Sequence, residues 1–251
     1  MHVLIPVKRV VDYNVKVRVK SDGTGVETAG VKMSLNPFDE VAVEQAVRMR
    51  QADQVSRVTV VTCGPPLAQD VLRTALAMGA DAAILLDPGE SDRRALAEAL
   101  SVLVQREGVG LVLCGKQAID DDQGDTAPTL AALLDWPQAI SVSRIELIEA
   151  GLRVDCDGDQ GLEQWRLPPP AVLGVDLRLC DPRPISLPNM MKAKKAMITT
   201  LPLSELASGT RGHMRVLSCA TPPTRAAGVR VDGLPQLLDR LRLLPALNAG
   251  V

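Results

Sequence analysis

The stretch from Gly115 to Pro128, GKQAIDDDQGDTAP, concentrates groups that can do chemistry. Gly115-Lys116 is an opening that phosphate-binding loops use. Three consecutive aspartates, Asp120, Asp121 and Asp122, follow, and Asp125 stands just before an expected helix start. Three readings fit these residues. In the first, a phosphate rests on the backbone N–H groups of residues 124–126, because a helix start attracts anions without any basic side chain. Gly124 then permits close backbone approach, Thr126 offers a hydroxyl, and the aspartates accept from ribose hydroxyls or cap turns. In the second, the aspartates form a solvated turn with Asp125 as N-cap. In the third they hold magnesium, which normally arrives with a substrate phosphate. The chain contains neither GxxxxGK[ST] nor GxGxxG, so it has no P-loop and no dinucleotide fingerprint. The residues alone point to a nucleotide pocket without hydrolytic machinery.

Other reactive groups are sparse. His2 and His213 are the only histidines. A nucleophilic role for a cysteine such as Cys63 therefore lacks a base in view. The five cysteines (Cys63, Cys114, Cys156, Cys180, Cys219) are widely spaced, without a CxxC pair. That pattern argues against a disulfide framework and against structural zinc. Aromatic residues make up 2% of the chain and the net charge is −2. Nucleic-acid binders need stacking platforms and a basic stripe, so nucleic acid is not an expected partner. The opening MHVLIPVKRV enters a strand at once and lacks the apolar core of a signal peptide. No apolar run approaches the roughly 20 residues that span a bilayer. The expectation is a reduced, cytoplasmic protein with no membrane insertion.

The elements that must position these groups alternate. HVLIPV (2–7), VSRVTVVTCG (55–64), DAAILLD (81–87) and VGLVLCG (109–115) read as buried strands. Between and after them lie helical patterns at 39–50, 66–79, 91–108 and 126–136, the second stopped by Gly79. Such alternation predicts βαβ units and a mainly parallel, doubly wound α/β sheet. Ligands on that sheet type sit beyond the carboxyl ends of the strands. Three strand exits carry suggestive residues: Pro6-Val7-Lys8, Cys63-Gly64-Pro65 and Gly115-Lys116-Gln117. After about residue 137 the pattern becomes a meander of strands, with turns at Ala150-Gly151 and between Gly158 and Gly161. One more buried strand follows at 171–179. A Pro-rich connection (181–197) leads to a less regular tail, whose last pattern predicts a helix over 234–247 with Leu237, Leu241 and Leu244 on one face. Asp135-Trp136-Pro137 reads as a helix end with a buried indole.

LPNMMKAKKAM (187–197) has two readings of its own. A short helix can pack Met190, Met191 and Met197 inward and leave its lysines in water. Alternatively, Pro182, Pro184 and Pro188 push the segment outward, and an exposed leucine ringed by methionine and lysine makes a docking tip.

Eight segments, in order, carry a resemblance: VKRVVDYNVKVRVK (7–20), GVKMSLNPFDEVAVEQAVR (30–48), RTALAMGAD (73–81), GKQAIDDD (115–122), LDWPQ (134–138), DLRLCDPR (176–183), LPNMMKAKK (187–195) and PPTRAAGV (222–229). The chain resembles the β (small) subunits of electron transfer flavoproteins nearly end to end. The resemblance implies an adenine-nucleotide α-hydrolase-like fold without hydrolase activity, over residues 1–180. It implies a partner-recognition loop at 181–200 and a C-terminal arm at 201–251 that packs on the α subunit. It also implies an electron carrier rather than an enzyme. The α subunit would hold most of the FAD site. Electrons would pass from flavin dehydrogenases, such as the acyl-CoA dehydrogenases of fatty acid β-oxidation, to a membrane-associated quinone reductase.

The family's β subunit carries a structural AMP. By position, Pro6, Asn36, Pro37, Phe38, Asp39, Cys63 and the run Gly115, Lys116, Gln117, Ala118, Ile119, Asp120, Asp121, Asp122, Gln123, Gly124, Asp125 and Thr126 would line it. Tyr13 would approach the flavin, with Lys8 and Arg183 near the flavin or subunit interface. Leu187 would insert into a pocket on the dehydrogenase, flanked by Pro188, Met190 and Met191, while Lys192, Lys194 and Lys195 steer encounter. Where many AMP-type members read DDDxNxTGQ, this chain has DDDQGDTAP. Its GDTAP half resembles the electron-bifurcating class, in which a second FAD replaces AMP. DDD and VDYNVKVRVK favour the AMP type. Outside the family, a free-standing nucleotide sensor like the universal stress proteins shares the sheet type but leaves 181–251 without a role.

Overall fold

In the central strands successive side chains point to opposite faces of the sheet, and on both faces they are apolar. Val3 and Ile5 face one way and Leu4 the other; likewise Val58 and Val60 against Val61, and Leu111 and Leu113 against Val112. A strand that is apolar on both faces needs cover on both, and the intervening helices supply it. The computed structural model describes residues 1–87, 93–207 and 216–243.

The chain runs β1 (His2–Pro6), β2 (Arg9–Val11), β3 (Met33–Leu35), α1 (Pro37–Gln51), β4 (Arg57–Cys63), α2 (Gln69–Met78), β5 (Ala82–Asp87), α3 (Arg93–Arg106), β6 (Leu111–Gly115) and α4 (Thr126–Leu134). It continues through β7 (Gln138–Ile148), β8 (Gly151–Gly158), β9 (Gly161–Leu167), β10 (Ala171–Val175), α5 (Leu187–Lys195), β11 (Thr199–Pro202) and α6 (Leu234–Arg242). The main sheet has nine strands in the order β11-β5-β4-β1-β6-β10-β7-β8-β9. From β11 to β7 all pairs are parallel, with β1 set against β4 from His2↔Arg57 to Pro6↔Val61. The β7-β8-β9 meander adds an antiparallel end.

The first core layer packs α1 and α2 against β1, β4, β5, β6 and β10 through Ala42, Ala46, Leu72 and Ala75. The second packs α3 and α4 on the opposite face through Leu100, Leu103, Leu130 and Ala131. The expected mainly parallel, doubly wound α/β architecture is therefore the one found. The chain winds outward from β1 to β4 and β5, then returns to β6 on the other side. That reversal leaves a crevice above the carboxyl ends of β1, β4 and β6.

Several boundaries differ from expectation for local reasons. The predicted helix at 66–79 begins with a 3-10 turn over Pro66–Ala68, then runs as α2 to Gly79, whose φ of 126° ends it. The helix expected over 126–136 stops at Leu134 because Asp135 adopts a left-handed conformation, φ 54°. Trp136 is only partly buried against the second core layer. The strand expected over 171–179 ends at Val175, and Leu177–Leu179 forms a 3-10 turn. Residues 12–32 form an exposed excursion between β2 and β3, closed by a Val19↔Val26 bridge. Leu244 and the expected helical residues beyond it lie outside the described residues, as do 91–92 at the start of the helix predicted there. Among the described residues, no helix is long and apolar enough to cross a membrane.

Candidate functional site

The crevice is a cleft of about 170 Å3. Its apolar lining comes from the strand exits and from α3: Pro6, Val7, Cys63, Cys114 and Leu96. Its polar lining comes from α1 and the 115–126 loop: Asn36, Asp39, Lys116, Gln117, Asp121, Asp125 and Thr126, joined by Lys8 after β1. Gly115, Ala118 and Gly124 complete the wall.

Asp39 forms the floor. It sits in the first turn of α1 and is 6% exposed. Its Oδ2 accepts the Lys8 backbone N–H at 2.8 Å. Burial pushes its pKa up to about 7, against the lowering effect of the Lys8 and Gly115 backbone donors and Asn36. Gly115 is required here: a Cβ at that position would collide with the Asp39 carboxylate and lie 2.8 Å from Phe38 Cβ. Beside it, burial pushes the Cys114 thiol up, so this cysteine stays a neutral core group.

Asn36 joins the two halves of the cleft. It occupies the N-cap position of α1 but does not cap the helix. Its Nδ2 donates to the Gln117 carbonyl at 2.9 Å, and its Oδ1 accepts from the Ile119 N–H at 3.3 Å. The loop after β6 is thereby tied to the start of α1. Gly124, at φ 61°, turns the loop into α4 and lies close to the Lys116 carbonyl.

The acidic run is organised within the protein. Lys8 Nζ donates to Asp120 at 2.8 Å and to Asp121 at 3.0 Å. Gln117 Nε2 donates to Asp122 at 2.9 Å, and Asp121 accepts the Gln123 N–H at 3.3 Å. Lys116 reaches Asp176 Oδ2 at 3.2 Å, so the lysine of the Gly115-Lys116 opening already has a carboxylate partner. Arg178 holds that same Asp176 down at about 2. Asp125 stands at the N-cap of α4 but makes no side-chain capping bond, which removes the expected cap. Among the described residues there is no group of His, Cys, Asp or Glu that could hold a metal ion.

The structure thus gathers twelve of the predicted nucleotide residues around one cleft: Pro6, Asn36, Asp39, Cys63, Gly115, Lys116, Gln117, Ala118, Asp121, Gly124, Asp125 and Thr126. It leaves others off the wall. Pro37 is the first residue of α1, Phe38 is buried beneath Gly115, and Ile119 contributes its backbone N–H. Asp120, Asp122 and Gln123 serve the loop itself. Cys114 and Leu96 line the cleft and were missed, because one read as a buried strand residue and the other as part of a helical pattern. Val7 and Lys8 line it too, as the strand exit Pro6-Val7-Lys8 suggested, which places Lys8 on this cleft.

Tyr13 lies elsewhere, 71% exposed at the base of the 12–32 excursion. Its neighbour Asp12 is buried, accepts from the Asn14 N–H at 2.9 Å and pairs with Lys32 at 2.7 Å. The turn that presents Tyr13 is therefore fixed although the ring is not packed. Arg183, expected near an interface, bonds buried Glu44 at 2.6 Å.

The 187–197 segment does form a short helix, α5, but its methionines do not pack inward. Leu187 is 69% exposed, Met191 51% and Met197 87%, and only Ala193 of the helix is buried. α6 likewise presents Leu234, Leu237 and Leu238 to solvent.

A profile of the electron transfer flavoprotein domain family matches residues 24–206. The chain is 46% identical over 243 residues to the electron transfer flavoprotein subunit beta of Bradyrhizobium diazoefficiens, covering 96% of this chain and 98% of the relative. It is 47% identical over 247 residues to the human electron transfer flavoprotein subunit beta, covering 96% and 97%. To the mitochondrial subunit beta of Oryza sativa subsp. indica it is 48% identical over 247 residues, covering 96% and 98%.

Proposed function

The chain belongs to the electron transfer flavoprotein family as a β subunit, which implies an α subunit as partner, and we propose that it is the non-catalytic half of a soluble electron carrier. In this reading the heterodimer takes electrons from flavin dehydrogenases, among them acyl-CoA dehydrogenases, and passes them to a membrane quinone reductase. FAD, bound mainly by the α subunit, supplies the redox chemistry. This chain contributes a nucleotide clamp, a docking helix and a wrapping arm.

The observation that carries the nucleotide assignment is the union of Asn36, Asp39, Cys63 and the 115–126 loop in one cleft at the strand-order reversal. We assign that cleft to AMP. Pro6, Val7, Cys63 and Leu96 suit the faces of a purine. The Gly124–Ala127 backbone at the start of α4 suits the phosphate, because its N–H groups have no intrahelical acceptors. The nucleotide is structural in this reading, and the cleft lining contains no histidine.

Two exposed regions fit the partner surfaces. α5, residues 187–195, is the recognition element for dehydrogenases, with Leu187 as its tip and Lys192, Lys194 and Lys195 steering encounter. Residues 216–243 are exposed almost throughout, and their α6 bears an unpartnered apolar stripe. Apolar area of that kind on a soluble protein marks a binding surface, and we assign this arm to the α subunit. Tyr13, on its fixed turn, faces the flavin edge. None of the five cysteines forms a disulfide, which fits the reducing cytoplasm as the site of action.

The test is to co-express the chain with its α subunit, denature the purified heterodimer and quantify the released nucleotides by chromatography. One FAD and one AMP per heterodimer is the expected result. Two FADs and no AMP would move the chain to the bifurcating class, which the Gly124–Pro128 sequence resembles. No heterodimer, with AMP or ATP on the lone chain, would overturn the carrier reading in favour of a nucleotide sensor.

A further inference from the structure

α5 presents an attachment problem. It is nine residues long, too short to hold its shape alone in water. Its large apolar side chains face solvent, and it buries a single alanine, Ala193. Burial of one methyl group does not fix a helix to a surface. The attachment is polar and comes from α2. Arg73 Nη1 lies 2.8 Å from the Ala193 carbonyl, 2.9 Å from that of Lys194 and 3.4 Å from that of Ala196. The Ala193 carbonyl also accepts the Ala196 N–H at 3.2 Å, and all three carbonyls lie at the C-terminal end of α5, where a helix runs short of intrahelical donors. A guanidinium there both satisfies them and opposes the negative end of the helix dipole.

The chain entering α5 is tied to α1 in a similar way. Glu44 Oε1, on a side chain 2% exposed, accepts from Arg48 Nε and Arg183 Nε, each at 2.6 Å. Arg183 also donates to Gln51 at 2.9 Å, and Arg48 to the Asp181 carbonyl at 2.6 Å. After α5 the chain rejoins the sheet as β11 beside β5. Between these anchors, Arg73 bonds three carbonyls at the end of α5, and Ile198 packs against the first core layer.

We propose that Arg73 is a positioning residue for partner recognition: it holds α5 folded and oriented so that Leu187, Met190 and Met191 are presented as a preformed docking face. This rests on the reading of α5 as the dehydrogenase-docking element. Arg73 itself is partly buried under the helix end and need not touch the partner. Without it, α5 must be ordered on each encounter, and affinity falls by the fraction of time the helix is formed.

The experiment uses the intact heterodimer with a purified acyl-CoA dehydrogenase as probe. Arg73→Met keeps the length of the side chain and removes its donors; Arg73→Lys restores part of the capping. Arg73→Met is expected to raise the KM for the heterodimer about three- to tenfold at unchanged kcat, if α5 is formed a third to a tenth of the time. Arg73→Lys falls between. Hydrogen exchange at amides 190–197 accelerates in the same order, while FAD and AMP content stay at the wild-type level. Leu187→Ala is the control for the docking role itself. If Leu187→Ala raises KM and Arg73→Met does not, the positioning proposal is overturned. If neither moves KM, docking through α5 is wrong and the proposal falls with it.

Discussion

At the cleft, a carboxylate that water would ionise, Asp39, is 6% exposed and lies under backbone donors. At α5, a leucine that water disfavours stands 69% exposed, with methionines beside it. Both are costly for an isolated chain, and the fold maintains them by different means. The cleft is held from within by Asn36, Gly115 and two core layers. α5 is held from outside, by hydrogen bonds at its C-terminal end and in the chain that enters it. A polar site inside a packed sheet loses shape only when the sheet does. A docking helix on polar anchors can lose order while the sheet stays intact. Substitutions in the first region should therefore cost stability, and those in the second should cost recognition.

The largest expected effect is at Asp39. Its folded pKa, about 7, lies above the ordinary carboxylate value, so the native state holds the proton more tightly than the unfolded chain. This group's contribution to stability is therefore greatest at low pH and is lost as pH rises from about 4 to about 7. Over pH 5 to 8 the wild type should lose about 3 kcal/mol relative to Asp39→Asn, which cannot titrate. Urea unfolding of nucleotide-stripped heterodimer across that range measures it. Parallel curves for the two proteins would mean that the floor is wet and that the contrast with α5 is weaker than drawn.

Next comes Gly115→Ala. The added methyl meets Asp39 and Phe38, and the Asp39 backbone N at 3.0 Å leaves little room for adjustment. Overpacking of this kind costs about 2 kcal/mol, read as a lower melting temperature, and the AMP content should fall with it. A variant that keeps both would show that the floor can shift, which a site held from within should not do.

How far each region was legible follows the same division. The sheet was readable because its strands are apolar on both faces and its helices carry clean stripes, as at Leu96, Leu100 and Leu103. The loop was readable as a site because Gly115, the aspartates and Thr126 follow a strand and precede a helix. The partners of those aspartates were not. Lys8 and Asp120 are 112 positions apart, and only the strand order brings them together. Gly115-Lys116 read as a phosphate-loop opening because nothing local reveals Asp176 as the partner of Lys116. Arg73 passed as one polar position on a helix, since its acceptors are backbone carbonyls and leave no mark in sequence. The excursion at 12–32 was missed as structure because its alternating run at 15–20 forms only an isolated bridge, Val19↔Val26, and joins no strand of the main sheet.

On the docking side, Leu187→Ala should raise the KM with an acyl-CoA dehydrogenase about tenfold, or 1.4 kcal/mol. The melting temperature should not change, because the side chain buries almost nothing in its own chain. A drop in melting temperature would place Leu187 in the packing of the molecule and remove the contrast between the two regions.

The smallest effect should come from Lys8→Met. The two bonds from Lys8 to Asp120 and Asp121 close the rim of the cleft, but the lysine side chain is 43% exposed and the aspartates 38% and 31%. Pairs this exposed contribute less than about 1 kcal/mol, because water and salt screen them. Asn36, which bonds the loop at Gln117 and Ile119 further inside, should keep the nucleotide in place. The expected result is faster amide exchange at 119–122, a melting temperature within about 2 °C of the wild type and unchanged AMP content. Salt should reproduce the exchange effect in the wild type, since about 0.5 M NaCl screens an exposed pair and leaves the Asn36 bonds alone. If Lys8→Met instead releases AMP, the rim holds the ligand, and the cleft depends on surface bonds as α5 does.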